Sequence, residues 1–214
     1  MRDWENAYKE RGEIQIGIEP LVKKSLKLLK KRKARKVFDL CFGTGRHVIF
    51  LAENGFDVYG IDISKTGKAI TERKIKQKGL KNVHLKVADM RKIPFKNNTF
   101  DAVIAVNALQ HNTLNGVKDT IHELKRVLKP NGTLVATLIS TKDPRYKAGK
   151  QVEPNTFTDL GDDPSDIDVP HHFSDKKEAT ELFSQFNRVK LKEAEGFSER
   201  RQMKAVHWEI IAEK

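Results

Sequence analysis

Two rhythms alternate along the chain. Ile18, Val22, Leu26 and Leu29 recur at helical spacing within 17–33, and Val117, Ile121, Leu124 and Leu128 do so within 117–129. Between such stretches stand short apolar blocks: Val37-Phe38-Asp39-Leu40, Val58-Tyr59-Gly60-Ile61, Val83 to Val87, Phe100 to Val106 and Thr133 to Ile139. Each reads as a strand, and the fourth, apolar on both faces, belongs in the middle of a sheet. Helices are predicted at 3–10, at 17–33, at 45–54 up to Gly55, and after the capping Ser64. The helix over 117–129 is predicted to stop at the turn Lys129-Pro130-Asn131-Gly132. A last helix is predicted at 174–186, and strands over about 187–194 and 204–212 are expected to pair antiparallel across Gly196.

Strand and helix in alternation imply right-handed crossovers. The expected fold is α/β: a doubly wound, mostly parallel sheet of seven strands, helices on both faces, and a C-terminal antiparallel hairpin. No repeat or linker marks a domain cut. A single domain over 1–214 is expected, with an N-terminal helical cap (1–34), a core (35–140), a Pro-, Asp- and Gly-rich lid or substrate loop (141–173), and a C-terminal helix and hairpin (174–214).

Composition narrows the class. At 38% apolar and 33% charged residues the chain is lean but able to form one core. No apolar run approaches the roughly 18 residues of a membrane helix, and the start, Met1-Arg2-Asp3-Trp4-Glu5, lacks a secretory signal. A single cysteine, Cys41, excludes an intrachain disulfide framework and a four-cysteine zinc module. A cytoplasmic protein is the expectation. Its formal charge of +12 raises the question of an anionic partner.

In a doubly wound sheet, ligands sit beyond the carboxyl ends of the strands. The first such end reads Asp39-Leu40-Cys41-Phe42-Gly43-Thr44-Gly45-Arg46-His47. Its glycines let the backbone turn sharply and approach a ligand. Asp62 follows Gly43 by nineteen residues, at the end of the second strand, where a carboxylate suits a ribose diol. The third glycine of a dinucleotide fingerprint is replaced by Val48, and no phosphate-binding P-loop is present. Two glycines, a second-strand acid and a third acid, Asp89, together suit a nucleoside without phosphates.

These residues resemble the motifs of class I S-adenosylmethionine-dependent methyltransferases, most of all the small-molecule and tellurite-resistance-type branches. The likeness covers about 35–140. Val37 to Arg46 resembles the first motif, Val58 to Ser64 the ribose motif, and Val87-Ala88-Asp89-Met90 with Ile93-Pro94-Phe95 the adenine motif. Phe100 to Ile104 through Asn107-Ala108-Leu109-Gln110-His111 resembles the fourth-strand motif beside the transferred methyl. Leu124 to Gly132 resembles the entry to the fifth strand. The resemblance implies a Rossmann-like fold, S-adenosyl-L-methionine as cofactor, and S-adenosyl-L-homocysteine as its product. It places Asp39, Cys41, Phe42, Gly43, Gly45, Asp62, Ile63, Asp89, Met90, Asn107, Ala108 and His111 at the cofactor. Cys41 stands where the family usually has glycine, so its β-carbon restricts the backbone there.

Methyl transfer is chiefly a positioning problem, and a base is needed only where the acceptor loses a proton. His111, His171 and His172 are the candidate bases; His207, alternating with Val206 and Trp208, is expected at a rim. No histidine pair has helical ligand spacing, so no metal is expected. Trp4 and Tyr8, one helical turn apart, are candidates to cap the pocket.

Residues 21–36 carry nine Lys or Arg and no acid, whereas 151–175 carry Glu153, Asp159, Asp162, Asp163, Asp166, Asp168 and Asp175 without a Lys or Arg. An acidic segment beside the pocket would repel a phosphate backbone, so a neutral or cationic small molecule is favoured over nucleic acid. The alternatives are an RNA or protein methyltransferase guided by the basic stretch, and a cofactor-binding module without transfer.

Overall fold

Three helices begin where a side chain caps their free N–H groups. Ser64 Oγ accepts from Gly67 N at 2.9 Å at the start of α4 (Lys65–Gln77), and Thr113 accepts from Gly116 N at the start of α5 (Leu114–Val127). Asp175 does the same, from Glu178 N at 2.8 Å, for α6 (Lys176–Leu182). The helices α1 (Trp4–Arg11), α2 (Pro20–Lys31) and α3 (Arg46–Glu53) complete the set. The computed structural model describes residues 4–14, 17–161, 168–198 and 202–214.

The strands are β1 (Lys36–Leu40), β2 (Asp57–Asp62), β3 (Val83–Val87), β4 (Phe100–Ala105), β5 (Leu128–Ser140), β6 (Lys150–Glu153), β7 (Thr156–Thr158), β8 (His171–Ser174), β9 (Asn187–Ser198) and β10 (Met203–Glu213). The seven expected strands are all present. They run β3-β2-β1-β4-β5-β10-β9, parallel through β5, with β10 antiparallel to both of its neighbours. The order reverses between β1 and β4, the switch point where such sheets bind ligands.

Ten strands stand where seven were expected. The expected loop over 141–173 holds the other three, β6, β7 and β8. Ile139 pairs with Phe173 on one side and His207 on the other, so β8 continues the sheet beyond the end of β4. Tyr146, Phe157, Leu160 and Phe173 give this addition an apolar cluster of its own. Its residues lack a strict alternation, which is why periodicity did not reveal it. Two boundaries also move. α5 stops at Val127 because Leu128 already pairs with Phe100, so the Lys129–Gly132 turn lies within β5. Gly196 pairs with Ala205 inside the β9–β10 ladder and is not the hairpin turn.

Two apolar clusters sandwich the sheet. One gathers Phe38, Phe100, Ile121, Leu124 and Phe183; the other gathers Val22, Leu29, Val37, Val48, Leu51 and Ile104. Phe38 stacks on Phe100 with ring centres 5.0 Å apart. The effect is to hold the carboxyl ends of β1, β2 and β4 rigidly beneath the loops that follow them.

Candidate active site

The turn after β1 is set by backbone that favours glycine. Gly43 lies at φ 57° and Gly45 at φ 85°. A β-carbon at Gly43 would come within 2.7 Å of the Tyr8 hydroxyl, and one at Gly45 within 2.4 Å of the Thr71 side chain. Cys41 is also left-handed, at φ 57°, so the position where the resemblance expects glycine has kept glycine's backbone without its freedom. An L-residue there costs about 1–2 kcal/mol, and glycine's greater freedom in the unfolded chain offsets part of the relief. Cys41→Gly is therefore expected to raise stability by up to about 1 kcal/mol, read by thermal melting. Cys41→Val is expected to lower it. A lower melting point for the glycine variant would show that thiol packing outweighs the strain. Burial, and after it the carboxylates of Asp62, Asp39 and Asp89, push the thiol well above its ordinary range, so it is no thiolate nucleophile.

Asp62 closes β2 and holds the loop. Its Oδ2 accepts from Gly43 N at 2.8 Å and its Oδ1 from Ser64 N at 2.9 Å. Burial raises its pKa against those two bonds. Asp39 lies behind, fully buried, and its Oδ2 has no hydrogen-bond partner among the described residues. Burial, opposed by Arg46, pushes its pKa up to about 8.

A cavity of about 510 Å³ opens above this turn. Of the residues assigned to the cofactor by resemblance, Cys41, Asp62, Ile63, Asp89, Met90, Asn107 and His111 line it, as do both cap residues, Trp4 and Tyr8. The others stand behind its wall. Phe42 and Ala108 are buried in the core, Gly43 donates to Asp62, and Gly45 packs against Thr71. Asp89 does not present bare oxygens: Arg91 bonds both of them, at 2.6 Å to Oδ2 and 3.1 Å to Oδ1.

The structure adds residues that the sequence did not single out. Glu5 accepts from Ser64 Oγ at 2.6 Å, Thr66 N at 3.0 Å and Thr66 Oγ1 at 2.8 Å, which fastens α1 over the cavity. Those bonds, the Ser64 hydroxyl first, hold its carboxyl at about 2. Asn112, Arg91, Val169 and Pro170 complete the wall, together with Asp168 from the acidic stretch already noted in the sequence. Nothing in a linear reading links Glu5 to a turn some sixty residues away; only the fold brings them together.

A second cavity, of about 520 Å³, lies over β5, β10 and β9 beside the start of α2. Asn107 and His111 line both cavities. Asn107, left-handed at φ 57°, is fixed there: its N donates to Thr137 Oγ1 at 2.8 Å and its Nδ2 to Glu19 Oε1 at 2.9 Å. Arg46 reaches the same Glu19 oxygen at 3.1 Å. His111 stands edge-on to Trp4 at 5.4 Å and to His171 at 4.7 Å. His171 and His207 line the second cavity. His172 lines neither; Thr156 Oγ1 takes up its Nδ1 at 2.7 Å and Glu178 Oε2 its Nε2 at 2.9 Å. Among the described residues no group of three or more metal-binding side chains is found.

The acidic stretch is mostly occupied elsewhere. Glu153 accepts from Leu114 N and Thr156, Asp175 caps α6, and Asp159 accepts from Asp168 N. Only Asp168 of the described acids reaches a cavity, the first one. Asp162, Asp163 and Asp166 lie outside the described residues.

Residues 37–132 match the family model described as a methyltransferase domain. A little under half of the chain is thus similar to a methyltransferase domain. The donor set of the first cavity fits the S-adenosylmethionine that the sequence resemblance implies: a buried strand-end carboxylate for a sugar diol, an apolar shelf of Ile63, Ala88 and Met90 for a flat base, and a closing aromatic at Trp4. A demethylmenaquinone methyltransferase of Geobacillus sp. (strain WCH70) is 34% identical over 131 residues, 60% of this chain and 54% of the relative. The chain thus spans about half the length of the curated relatives it matches. Among solved structures, a S-adenosylmethionine-dependent methyltransferase from Methanosarcina mazei superposes with a TM-score of 0.74 at 22% identity, over 93% of this chain and 99% of that one. A 1,6-didemethyltoxoflavin-N1-methyltransferase from Burkholderia thailandensis, solved with its substrate and S-adenosylhomocysteine, superposes at 0.65 with 14% identity, over 92% of this chain and 79% of that one. At those identities the likeness is one of fold.

Proposed function

We propose that this chain moves a methyl group from S-adenosylmethionine to a small, uncharged acceptor, mainly by holding the two in line. The observation that carries the reading is the meeting of two cavities at Asn107 and His111, one built for a nucleoside and one beside it for a second molecule. When bound, the cofactor supplies a methyl group activated by the positive sulfur. Asp62 grips the sugar, Ile63 and Met90 flank the base, and Trp4 and Tyr8 exclude water. Glu19 orients Asn107 at the junction. Positioning of this kind lowers a barrier by up to about 7–11 kcal/mol.

An uncharged acceptor is favoured because several of the charges beside the second cavity are already paired, while Lys24, Lys192 and Glu209 also line it. Glu19 meets Arg46, Glu193 meets Lys142, and Arg145 meets Asp143. Relatives named for a quinone substrate and a neighbour named for a heterocycle point the same way. The RNA or protein reading loses support from geometry: of the cations of α2, Lys24 alone lines the second cavity.

The test is calorimetry with S-adenosylmethionine and S-adenosylhomocysteine, followed by transfer of labelled methyl to a mixed panel of hydroxylated, amine and thiol compounds and to total RNA. Both nucleosides are expected to bind, with label in the small-molecule fraction. Label in RNA that fades with rising salt would replace this reading with the nucleic-acid one. Binding with no transfer to any acceptor would leave a cofactor-binding module.

A further inference from the structure

After Pro20, every exposed residue of α2 is a lysine: Lys23, Lys24, Lys27, Lys30 and Lys31. Their spacing puts them on one face of the helix, opposite the face on which Leu21, Val22, Ser25 and Leu29 are buried. Lys30 reaches Asn54 Oδ1 at 3.4 Å, and Lys23, Lys24, Lys27 and Lys31 form no ion pair among the described residues. The basic surface continues onto β9. Lys190 and Lys192 are exposed and stand opposite Ile211 and Glu209 of β10. Directly opposed residues of an antiparallel pair share a face, and Ile211 packs on the cluster that holds Val22 and Leu29. Both lysines therefore lie on the α2 side of the sheet. The acids nearby do not balance this charge. Arg32 and Arg188 take Glu213, Arg46 takes Glu19, and Lys78 takes Glu53. On β9 itself Lys142 takes Glu193 and Lys204 takes Glu195. Glu209, facing Lys192 across the ladder, is the acid left over on this side among the described residues.

The second cavity opens where these two elements meet: Lys24, Lys192 and Phe197, all exposed, line it. Phe197 is 62% exposed, so an aromatic ring stands in water at the edge of a field of lysines. Cations for anionic headgroups and a ring for the boundary with the acyl chains are what a surface needs to rest on a membrane. We propose that the face formed by α2 and β9 docks on an anionic lipid surface, with the mouth of the second cavity turned toward it. Nucleic acid is the other polyanion that such a face attracts. The exposed face of α2, however, consists of lysines, which act as point charges, and α2 holds no aromatic residue on which a base would stack. Each lysine near an anionic bilayer multiplies partitioning roughly fivefold. The docking stands apart from the methyl-transfer reading. Joined to it, the docking lets an acceptor dissolved in the bilayer reach the cavity without crossing water.

The test is sedimentation of the full chain with vesicles of phosphatidylcholine alone and with vesicles in which phosphatidylglycerol replaces a third of it. Partitioning onto the anionic vesicles is expected to exceed that onto the neutral ones at least about tenfold, and to fall at least about tenfold as salt rises from about 0.1 M to about 1 M. The triple variant Lys23→Gln, Lys27→Gln and Lys31→Gln is expected to partition about 100-fold less, with its affinity for S-adenosylhomocysteine within about twofold of the parent. Phe197→Ser is expected to lower partitioning onto anionic vesicles at least about fivefold and to keep the parent's salt dependence. With vesicles and total RNA present at equal phosphate, the chain is expected to sediment with the vesicles. Should the triple variant melt early, the lipid, salt and RNA comparisons on the parent chain decide the matter. Equal partitioning onto neutral and anionic vesicles, retention in the RNA fraction, or a folded triple variant that partitions like the parent overturns the proposal.

Discussion

Asp62→Ala is expected to weaken S-adenosylhomocysteine binding at least about 100-fold, measured by calorimetry. Two causes act together. A hydrogen bond to a charged acceptor is worth about 1.5–3 kcal/mol, and a sugar diol makes two; even partial loss reaches the 2.7 kcal/mol or so that corresponds to 100-fold. The same carboxylate holds Gly43 N and Ser64 N, so its removal also frees the turn beneath the ligand. Asp62→Asn separates the causes. The amide keeps one accepting oxygen, so it retains one backbone contact and loses charge, and an intermediate affinity is expected. Binding of the alanine variant within about threefold of the parent would remove Asp62 from the site.

The parallel core was legible because each of its signals is local. Blocks such as Val37–Leu40 and Phe100–Val106 announce strands through burial on both faces, and Ser64 announces a helix start through one hydrogen bond. The Gly43–Gly45 loop, Asp62 and Asp89 declared a ligand end by lying in phase with successive strands. What escaped depends on contacts between distant segments. β6, β7 and β8 are short, and β8 exists as a strand because it is drawn onto the projecting end of β5. Glu5 has no motif, yet it fastens α1 to the start of α4. The capture of Asp89 by Arg91, two residues on, was a local feature and had a readable charge pattern, but its geometry needed the bend after β3. The three histidines show the limit most plainly. His171 and His172 are adjacent in sequence and face different surroundings, a cavity wall for one and a Thr156–Glu178 bridge for the other, because neighbouring residues in β8 point to opposite faces.

The largest loss of stability is expected at Asp143, a residue with no part in ligand binding. Its side chain is wholly buried beside Arg145, which is 4% exposed. Four contacts converge on the carboxylate: Arg145 Nε at 2.7 Å and its second terminal nitrogen at 3.1 Å, Arg145 N at 3.1 Å, and Val206 N at 2.8 Å. The last of these ties the loop after β5 to β10, so the pair clamps the rim of the second cavity. Asp143→Ala removes the carboxylate that faces a buried guanidinium and takes the acceptor from Val206 N, and breaking such a buried pair costs about 3–5 kcal/mol. For a chain of this size that corresponds to a fall of roughly 10 °C in melting temperature. Replacing both partners, as Asp143→Leu with Arg145→Met, removes the buried charge along with the pair and is expected to recover most of the loss. A double variant no more stable than Asp143→Ala would mean that the backbone bond to Val206, and not the charge, does the holding. The pH dependence carries the same signature. Burial raises the Asp143 pKa, but the hydrogen bonds and charge of Arg145 outweigh it and hold the carboxyl below its ordinary value. Its contribution is therefore full above the unfolded pKa of about 3.9 and is lost as pH falls through the lower folded value. The parent is expected to lose stability on acidification more steeply than the Leu–Met double variant, and the two melting curves are expected to converge at the acid end.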